Sequence, residues 1–191
     1  TAHIMPVGRT FTLSYQRLDD IEDIDILAKA LLARVGCFAP GEPVPWRILL
    51  ATLLRWGERE HYELIEELRT LEALFRLAEL GLVEVEQDYT VTVHPLISAF
   101  VQTVTSVEEA YLDVEAVIVE EAQSSRHLDR GIHPLIIQKH LHHLTDSNRD
   151  TSEYSKAILN CLLGTHLRMF GNSSQAASYF ERALKYWEQR I

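Results

Sequence analysis

Residues 157–191 read AILNCLLGTHLRMFGNSSQAASYFERALKYWEQRI, and this stretch decides the fold. Its small and large residues are placed as two closely packed helices require. Gly164 allows two helix backbones to approach, because glycine carries no side chain. Ala176 and Ala183 keep the second helix thin where it crosses the first, and Phe180 fills the groove between them. The stretch therefore predicts a tightly packed pair of helices.

The same stretch resembles a tetratricopeptide repeat. The pattern W-x-x-L-G-x-x-Y…A-x-x-x-F is matched by Leu163, Gly164, Ala176 and Phe180, with Leu167 at the aromatic position and Asn160 at the Trp position. The inner face of the second helix is predicted to be Ala176, Phe180, Ala183 and Leu184, with Tyr179, Tyr186 and Trp187 on the side where a next repeat would dock. Arrays of such repeats need at least three units and a polar cap. The aromatic end at Tyr186, Trp187 and Ile191 is no polar cap. We therefore expect a larger protein with further tetratricopeptide repeats, or self-association through this end.

Composition limits the class of protein. The 191 residues are 47% hydrophobic and 24% charged, which is typical of one or two globular domains. No apolar run is long enough to span a membrane, and the N-terminus lacks a signal-peptide pattern. Cys37 and Cys161 both lie in apolar helical segments and are predicted to be reduced core residues, which indicates a cytoplasmic protein. The net charge of −10 weighs against nucleic acid as a partner.

Three helical segments are predicted in the first half of the chain. Apolar residues follow a helical spacing over residues 25–35. A Pro/Gly-rich link, residues 39–43, leads to a very apolar helix over residues 46–56, with Pro45 suited to its first turn. Residues 70–80 form a third, amphipathic helix.

The pattern then changes its period. Residues 82–93 alternate between apolar and polar side chains, which predicts a β-hairpin with a turn at Gln87 and Asp88. Pro95 then starts another helix, residues 96–104. Three helices followed by a hairpin are typical of a winged helix.

Two more helices are predicted before the repeat. The capping box at residues 106–109 begins a helix that reaches about Ser124. His133 and Pro134 open a second helix, which ends near Asp146. Together they would form a degenerate first repeat.

The predicted fold class is therefore mainly α. A winged-helix domain, residues 1–105, contains helices and one β-hairpin. A tetratricopeptide-like α-hairpin solenoid, residues 106–191, follows it, and its second repeat spans about 157–190.

Two segments in the first half carry a wider resemblance. FTLSYQR at residues 11–17 and VTVHPLISAFVQ at residues 91–102, with the helices between them, resemble the winged-helix end of an NB-ARC module. NB-ARC modules belong to the STAND class of signal-transduction ATPases. In many bacterial and fungal members, tetratricopeptide repeats follow the winged helix, and their sequence is similar to LNxLGxxLxxxGxxxxAxxYFERALxxxE. Residues 159–188 match this pattern nearly throughout. The resemblance covers roughly residues 11–104 and 151–190.

This resemblance implies a regulatory function. The repeats would sense a protein or a small ligand, and the winged helix would couple that event to nucleotide state. The implied partners are an upstream nucleotide-binding domain and further repeats. The implied cofactors, in the parent protein only, are ADP or ATP with magnesium.

His94 is the one residue that the resemblance assigns to nucleotide contact. The NB-ARC winged helix carries a Met-His-Asp motif, and the His of this motif contacts the β-phosphate of ADP and stabilises the resting state. Val93, His94 and Pro95 occupy the matching position. Pro95 replaces the acid, so the second contact of the family is not carried over. The alternative is that His94 only caps the following helix or packs against the hairpin.

Other sites of chemistry are not predicted. The chain has no G-x-x-x-x-G-K-[ST] motif, which forms the phosphate-binding loop of many ATPases. We therefore predict neither catalytic residues nor ATP hydrolysis by this chain alone. Four histidines lie close together in sequence: His133, His140, His142 and His143. His140 and His143 could share a helix face, but no further ligand pair completes a tetrahedral metal site. We interpret these histidines as part of a polar helix face.

Charge argues against DNA binding by the winged helix. Its recognition helix would lie in residues 58–80, where three Arg stand against seven Glu. That balance would repel a phosphate backbone. Two alternatives to the STAND reading stay open. One is a protein-interaction scaffold without a nucleotide switch, and the other is a transcription regulator whose DNA contact lies outside this chain.

Overall fold

The chain is mainly helical and carries one small antiparallel sheet. The computed structural model describes residues 4–53, 63–124, 133–147, 149 and 152–189. Contacts divide the chain into two units, Thr1–Val114 and Glu115–Ile191, which are described separately. The elements of the first unit are, in order, α1 (Ile4–Tyr15), α2 (Asp23–Val35), β1 (Val44–Pro45), α3 (Trp46–Leu53), α4 (Glu63–Glu79), β2 (Glu84–Val85), β3 (Thr90–Thr92), α5 (Pro95–Val104) and the start of α6 (Glu108–Ser124). The second unit contains the rest of α6 with α7 (Pro134–Asp146), α8 (Glu153–Met169) and α9 (Ser173–Glu188).

Most predicted elements of the first unit are present. The alternating segment forms the hairpin β2–β3, and the helices predicted around it are α2, α3, α4 and α5. Helix α1 had not been predicted. Residues 54–62, which include the end of the predicted helix 46–56 and the start of the predicted recognition helix, lie outside the described residues.

A third strand joins the hairpin. The strand order is β1-β3-β2, with Val44 opposite Val91 and Glu84 opposite Thr92. The interpretation of Pro45 as a first-turn helical residue was wrong, because Pro45 ends β1 and α3 begins at Trp46. Proline is tolerated there because β1 is an edge strand, where a missing N–H breaks no central ladder.

Helix α5 is fixed against the end of α2. The Ser98 hydroxyl donates to the Gly36 carbonyl at 3.0 Å, and Gln102 Nε2 donates to the same oxygen at 3.3 Å. A Cβ added at Gly36 would lie 3.1 Å from a Val101 methyl, so the backbones approach closely because residue 36 has no side chain. This packing positions the first turn of α5, which follows His94.

In the second unit α8 and α9 form the predicted helical pair. Phe170, Gly171 and Asn172 connect them, and Gly171 has a φ of 82°, which favours glycine. A Cβ added at Gly164 would lie 2.9 Å from the Phe180 ring, so the absence of a side chain is what lets that ring lie on α8.

Three side-chain placements in this unit differ from prediction. Leu184 is 53% exposed and does not belong to the inner face of α9. Tyr179 is buried and contacts His142 of α7, so it does not face a next repeat. Cys161 is exposed rather than a core residue, whereas Cys37 is buried as predicted. Helical spacing alone located these residues on α8 and α9 but not the direction from which neighbouring helices pack.

An aromatic cluster lies near the end of α9. The rings of Tyr154, Tyr186 and Trp187 meet edge to face, with centroids 4.9 to 6.2 Å apart. Tyr154 and Trp187 are about half exposed. Ile191, which the prediction placed at the same end, lies outside the described residues.

Candidate functional site

His94 lies where β3 ends and α5 begins. It is the N-cap residue of α5, with φ −65° and ψ 139°, and its side chain is exposed. Its Nδ1 accepts a hydrogen bond from the Leu96 backbone N–H at 3.2 Å. The first N–H groups of a helix have no partner within the helix, so this bond satisfies one of them. The capping role considered from sequence is therefore observed.

Capping also fixes which ring nitrogen of His94 carries the proton. In a neutral imidazole one nitrogen accepts and the other donates. Because Nδ1 accepts from Leu96, the proton of the neutral ring lies on Nε2. An Nε2–H group on an exposed side chain can donate to a phosphate oxygen while Nδ1 still caps the helix. The two roles predicted as alternatives use different atoms and do not exclude each other.

The four-residue motif that begins with His94 occurs a second time in the chain. His133, Pro134, Leu135 and Ile136 repeat the His-Pro-Leu-Ile of residues 94–97. His133 Nδ1 accepts a hydrogen bond from the Leu135 N–H at 3.3 Å, and the φ of His133, −64°, matches the φ of His94. The repeated motif is visible in the sequence, and in the structure it caps a helix in each unit.

The backbone on both sides of His94 is held in place. The Val93 carbonyl accepts from the Gly41 N–H at 2.9 Å, and the His94 carbonyl accepts from the N–H groups of Ile97 and Ser98 at 2.9 and 3.0 Å. These bonds fix the imidazole at the junction of the sheet and α5. One neutral donor cannot hold a diphosphate, so the remaining donors of a nucleotide site would have to come from another domain.

The histidines of α7 occupy three different environments. His140 is fully buried, so the interpretation of this group as a polar helix face was wrong for that residue. His142 is exposed; its Nδ1 lies 3.0 Å from Asp146 Oδ2, and its Nε2 lies 3.3 Å from the Tyr179 hydroxyl. Burial lowers the pKa of His143, and Arg149 lowers it further. In the part of the chain that the structure describes, no group of three or more His, Cys, Asp or Glu side chains is arranged to hold a metal ion.

Two buried carboxylates had not been singled out from the sequence. Asp25 of α2 accepts hydrogen bonds from Arg76 Nε at 2.9 Å and from the Asp19 N–H at 2.8 Å. The hydrogen bond from Arg76 lowers the pKa of Asp25. Glu115 of α6 is only 8% exposed, and burial raises its pKa although Ser155 donates to it. In the sequence both look like ordinary charged positions on a helix, because nothing local distinguishes a paired carboxylate from a solvated one.

Comparisons of the chain with protein-family models, with curated proteins and with solved structures gave no match. Within the described ranges, no helix is long and apolar enough to cross a membrane.

Proposed function

We propose that this chain is the regulatory part of a STAND-type signal-transduction ATPase, in which a winged helix couples nucleotide state to a tetratricopeptide sensor. The observation that carries the proposal is the order of elements in the first unit. Helix, strand, helix, helix and hairpin follow one another as α2, β1, α3, α4 and β2–β3, and the strands pair in the order β1-β3-β2. That order supports a winged helix more strongly than the predicted hairpin alone, because β1 supplies its third strand.

The second unit supports the sensor part of the proposal. Helices α8 and α9 form a hairpin in which Ala176 and Ala183 are buried and the Phe180 ring lies against Gly164. Close helix contact at small residues is what a stack of helical repeats needs. The proposed stack continues with further repeats, and it binds a protein or a small ligand.

His94 would act as the nucleotide contact. Its Nε2–H would donate to the β-phosphate of ADP bound in an upstream nucleotide-binding domain, while Nδ1 continues to cap α5. Binding of a ligand to the repeats would move the winged helix, break this bond and permit assembly. The chain itself would neither hydrolyse ATP nor bind DNA.

Three substitutions in the intact polypeptide test the role of His94. His94→Ala removes the donor and the cap, whereas His94→Asn keeps a side-chain oxygen that caps well and places its amide N–H donors one bond short of the position of the imidazole Nε2. His133→Ala removes the same kind of cap from α7 and serves as the control. We expect His94→Ala and His94→Asn to release ADP about tenfold to a hundredfold more readily, since one charge-assisted hydrogen bond contributes about 1.5–3 kcal/mol. His133→Ala should retain ADP.

ADP retention by His94→Asn equal to that of the unsubstituted protein would reject the nucleotide role. The scaffold without a nucleotide switch would then be favoured, and one observation already supports that alternative. His133 caps α7 with the same geometry, and no ligand is assigned to it. Capping by itself therefore accounts for the presence of a His-Pro-Leu-Ile motif.

A further inference from the structure

Helix α4 carries two apolar faces. One of them is buried in the first unit and consists of Ala73, Leu74 and Leu77. The other consists of Leu68, Leu71 and Phe75, and of these Leu68 is 60% and Phe75 48% exposed. A helix at the surface of a globular domain normally has one apolar stripe, directed at the core. Among the residues that the structure describes, the second stripe of α4 is therefore left largely uncovered.

This second stripe lines a groove, which we name the α4 groove. Its volume is about 450 Å³, and its lining residues are Ile24, Leu68, Leu71, Glu72, Phe75, Arg76 and Glu79. The ring of Tyr89, at the tip of the hairpin, meets the Phe75 ring edge to face with centroids 6.3 Å apart. Tyr89 has a φ of 60°, a conformation that few residues other than glycine adopt. The hairpin thus holds a large, 43% exposed aromatic ring against Phe75 at a position where glycine would be easier.

The rim of the α4 groove is negative. The charged side chains that line the groove are Glu72, Glu79 and Arg76, and the same helix carries a second arginine, Arg69. Both arginines are engaged by carboxylates: Arg76 Nε lies 2.9 Å from Asp25 Oδ1, and Arg69 Nη2 lies 3.5 Å from Asp23 Oδ2. Glu72 and Glu79 are exposed along the groove, and Glu79 Oε2 lies 3.8 Å from Arg76 Nη1, so two carboxylates share the one lining arginine. The surface therefore combines an apolar floor with an unbalanced negative border.

We propose that the α4 groove binds a cationic amphipathic helix of a partner protein. Two or three large apolar side chains of that helix would cover Leu68, Leu71 and Phe75, and flanking Lys or Arg would lie against Glu72 and Glu79. A second copy of this chain fits less well, because symmetric pairing of the same face would bring acid against acid. Duplex DNA is repelled for the same reason. The inference does not depend on the nucleotide role of His94.

A displayed library of helical peptides, selected on the full chain, tests this inference. We expect the enriched peptides to carry large apolar residues at helical spacing together with an excess of Lys and Arg. A synthetic peptide from that pool should bind less tightly as salt is raised. Leu68→Ser or Phe75→Ser should weaken it by about tenfold or more, since each removes a central apolar contact. Leu68 is well exposed, so its substitution leaves the core of the unit unchanged.

Matched controls separate this site from general attraction between opposite charges. Leu112→Ser removes an equally exposed leucine from α6, and it should leave peptide binding unchanged. Glu72→Lys should weaken binding, whereas Glu181→Lys, an exposed change on α9, should not. Failure to enrich any peptide, or enrichment of acidic or uncharged ones, would refute the proposal. So would equal effects of the groove and control variants. A dimer of the chain that Leu68→Ser dissociates would instead assign the groove to a second copy.

Discussion

Arg34 donates from Nη2 to Asp113 Oδ2 at 2.6 Å, across a separation of 79 residues. The same guanidinium donates to the Thr52 carbonyl at 3.1 Å and to the Ala30 carbonyl at 3.0 Å. One half-buried side chain therefore joins α2, the last turn of α3 and the part of α6 that belongs to the first unit. Its bond to the Thr52 carbonyl supplies a donor to the last described turn of α3, and its bond to the Ala30 carbonyl stays within α2.

Arg34→Met should destabilise the first unit by about 2 kcal/mol, because methionine keeps part of the apolar stem and loses every hydrogen bond. Asp113→Ala should cost less, about 0.5–1 kcal/mol, since the Asp113 side chain is 43% exposed and Arg34 keeps both carbonyl contacts. Urea unfolding followed by circular dichroism measures both changes. Equal losses for the two variants would show that the ion pair, and not the carbonyl bonds, holds these helices together.

Gly164→Ala should destabilise the α8–α9 hairpin. The added Cβ would lie 2.9 to 3.1 Å from three carbons of the Phe180 ring, so the ring would have to move. Overpacking of this kind lowers the free energy of unfolding by about 1–3 kcal/mol, and the better helix propensity of alanine offsets roughly 1 kcal/mol of that loss.

Phe180→Leu provides the matched test for that contact. In combination with Gly164→Ala, the loss of unfolding free energy should be smaller than the sum of the two single losses, because leucine vacates the space that the methyl group needs. Thermal unfolding of the four proteins measures this coupling. Strict additivity would mean that the ring is not what restricts residue 164.

Glu115 and Asp25 should respond to pH in opposite ways. Burial raises the pKa of Glu115, so the folded state favours its protonated form, and stability decreases as the pH rises through that raised pKa. Glu115→Gln should therefore be more stable than the unsubstituted chain at neutral pH. The advantage should shrink as the pH falls through the raised pKa, and it should be lost once the pH is below the ordinary Glu value of 4.5.

Asp25 is the control with the opposite sign. The Arg76 hydrogen bond lowers its pKa, so its contribution is present above the ordinary Asp value of 3.8 and is lost as the pH falls through the lowered pKa. Asp25→Asn should be less stable than the unsubstituted chain at neutral pH, with a difference that narrows in acid. Denaturation midpoints between neutral and acidic pH measure both differences. A pH-independent gap for either variant would contradict the assigned shift.

Strong local signals explain what the sequence could predict. Alternation over residues 82–93 located the hairpin, and the two prolines at residues 95 and 134 marked the starts of α5 and α7. Glycine and alanine positions located the packed pair α8–α9. Each of these signals arises from a backbone or packing requirement within one or two neighbouring elements.

Features that depend on distant partners were missed. Strand β1 has two residues, one of them proline, and exists because β3 is beside it. The exposed stripe of α4 could not be separated from its buried stripe, since Leu71 and Phe75 look the same in sequence as Leu74 and Leu77. Capping by His94 was considered from the sequence, but the ring nitrogen that accepts from Leu96 became known only from the structure.

The short edge strands of the sheet also limit how the first unit can aggregate. Exposed strand edges recruit further strands, and proteins resist this with proline, charge and short length. Here β1 ends in Pro45, which has no N–H to offer, and β2 consists of Glu84 and Val85, with the glutamate exposed. Neither edge is a suitable template for fibre-like growth. Association through this unit is therefore expected to use side chains, and to remain reversible.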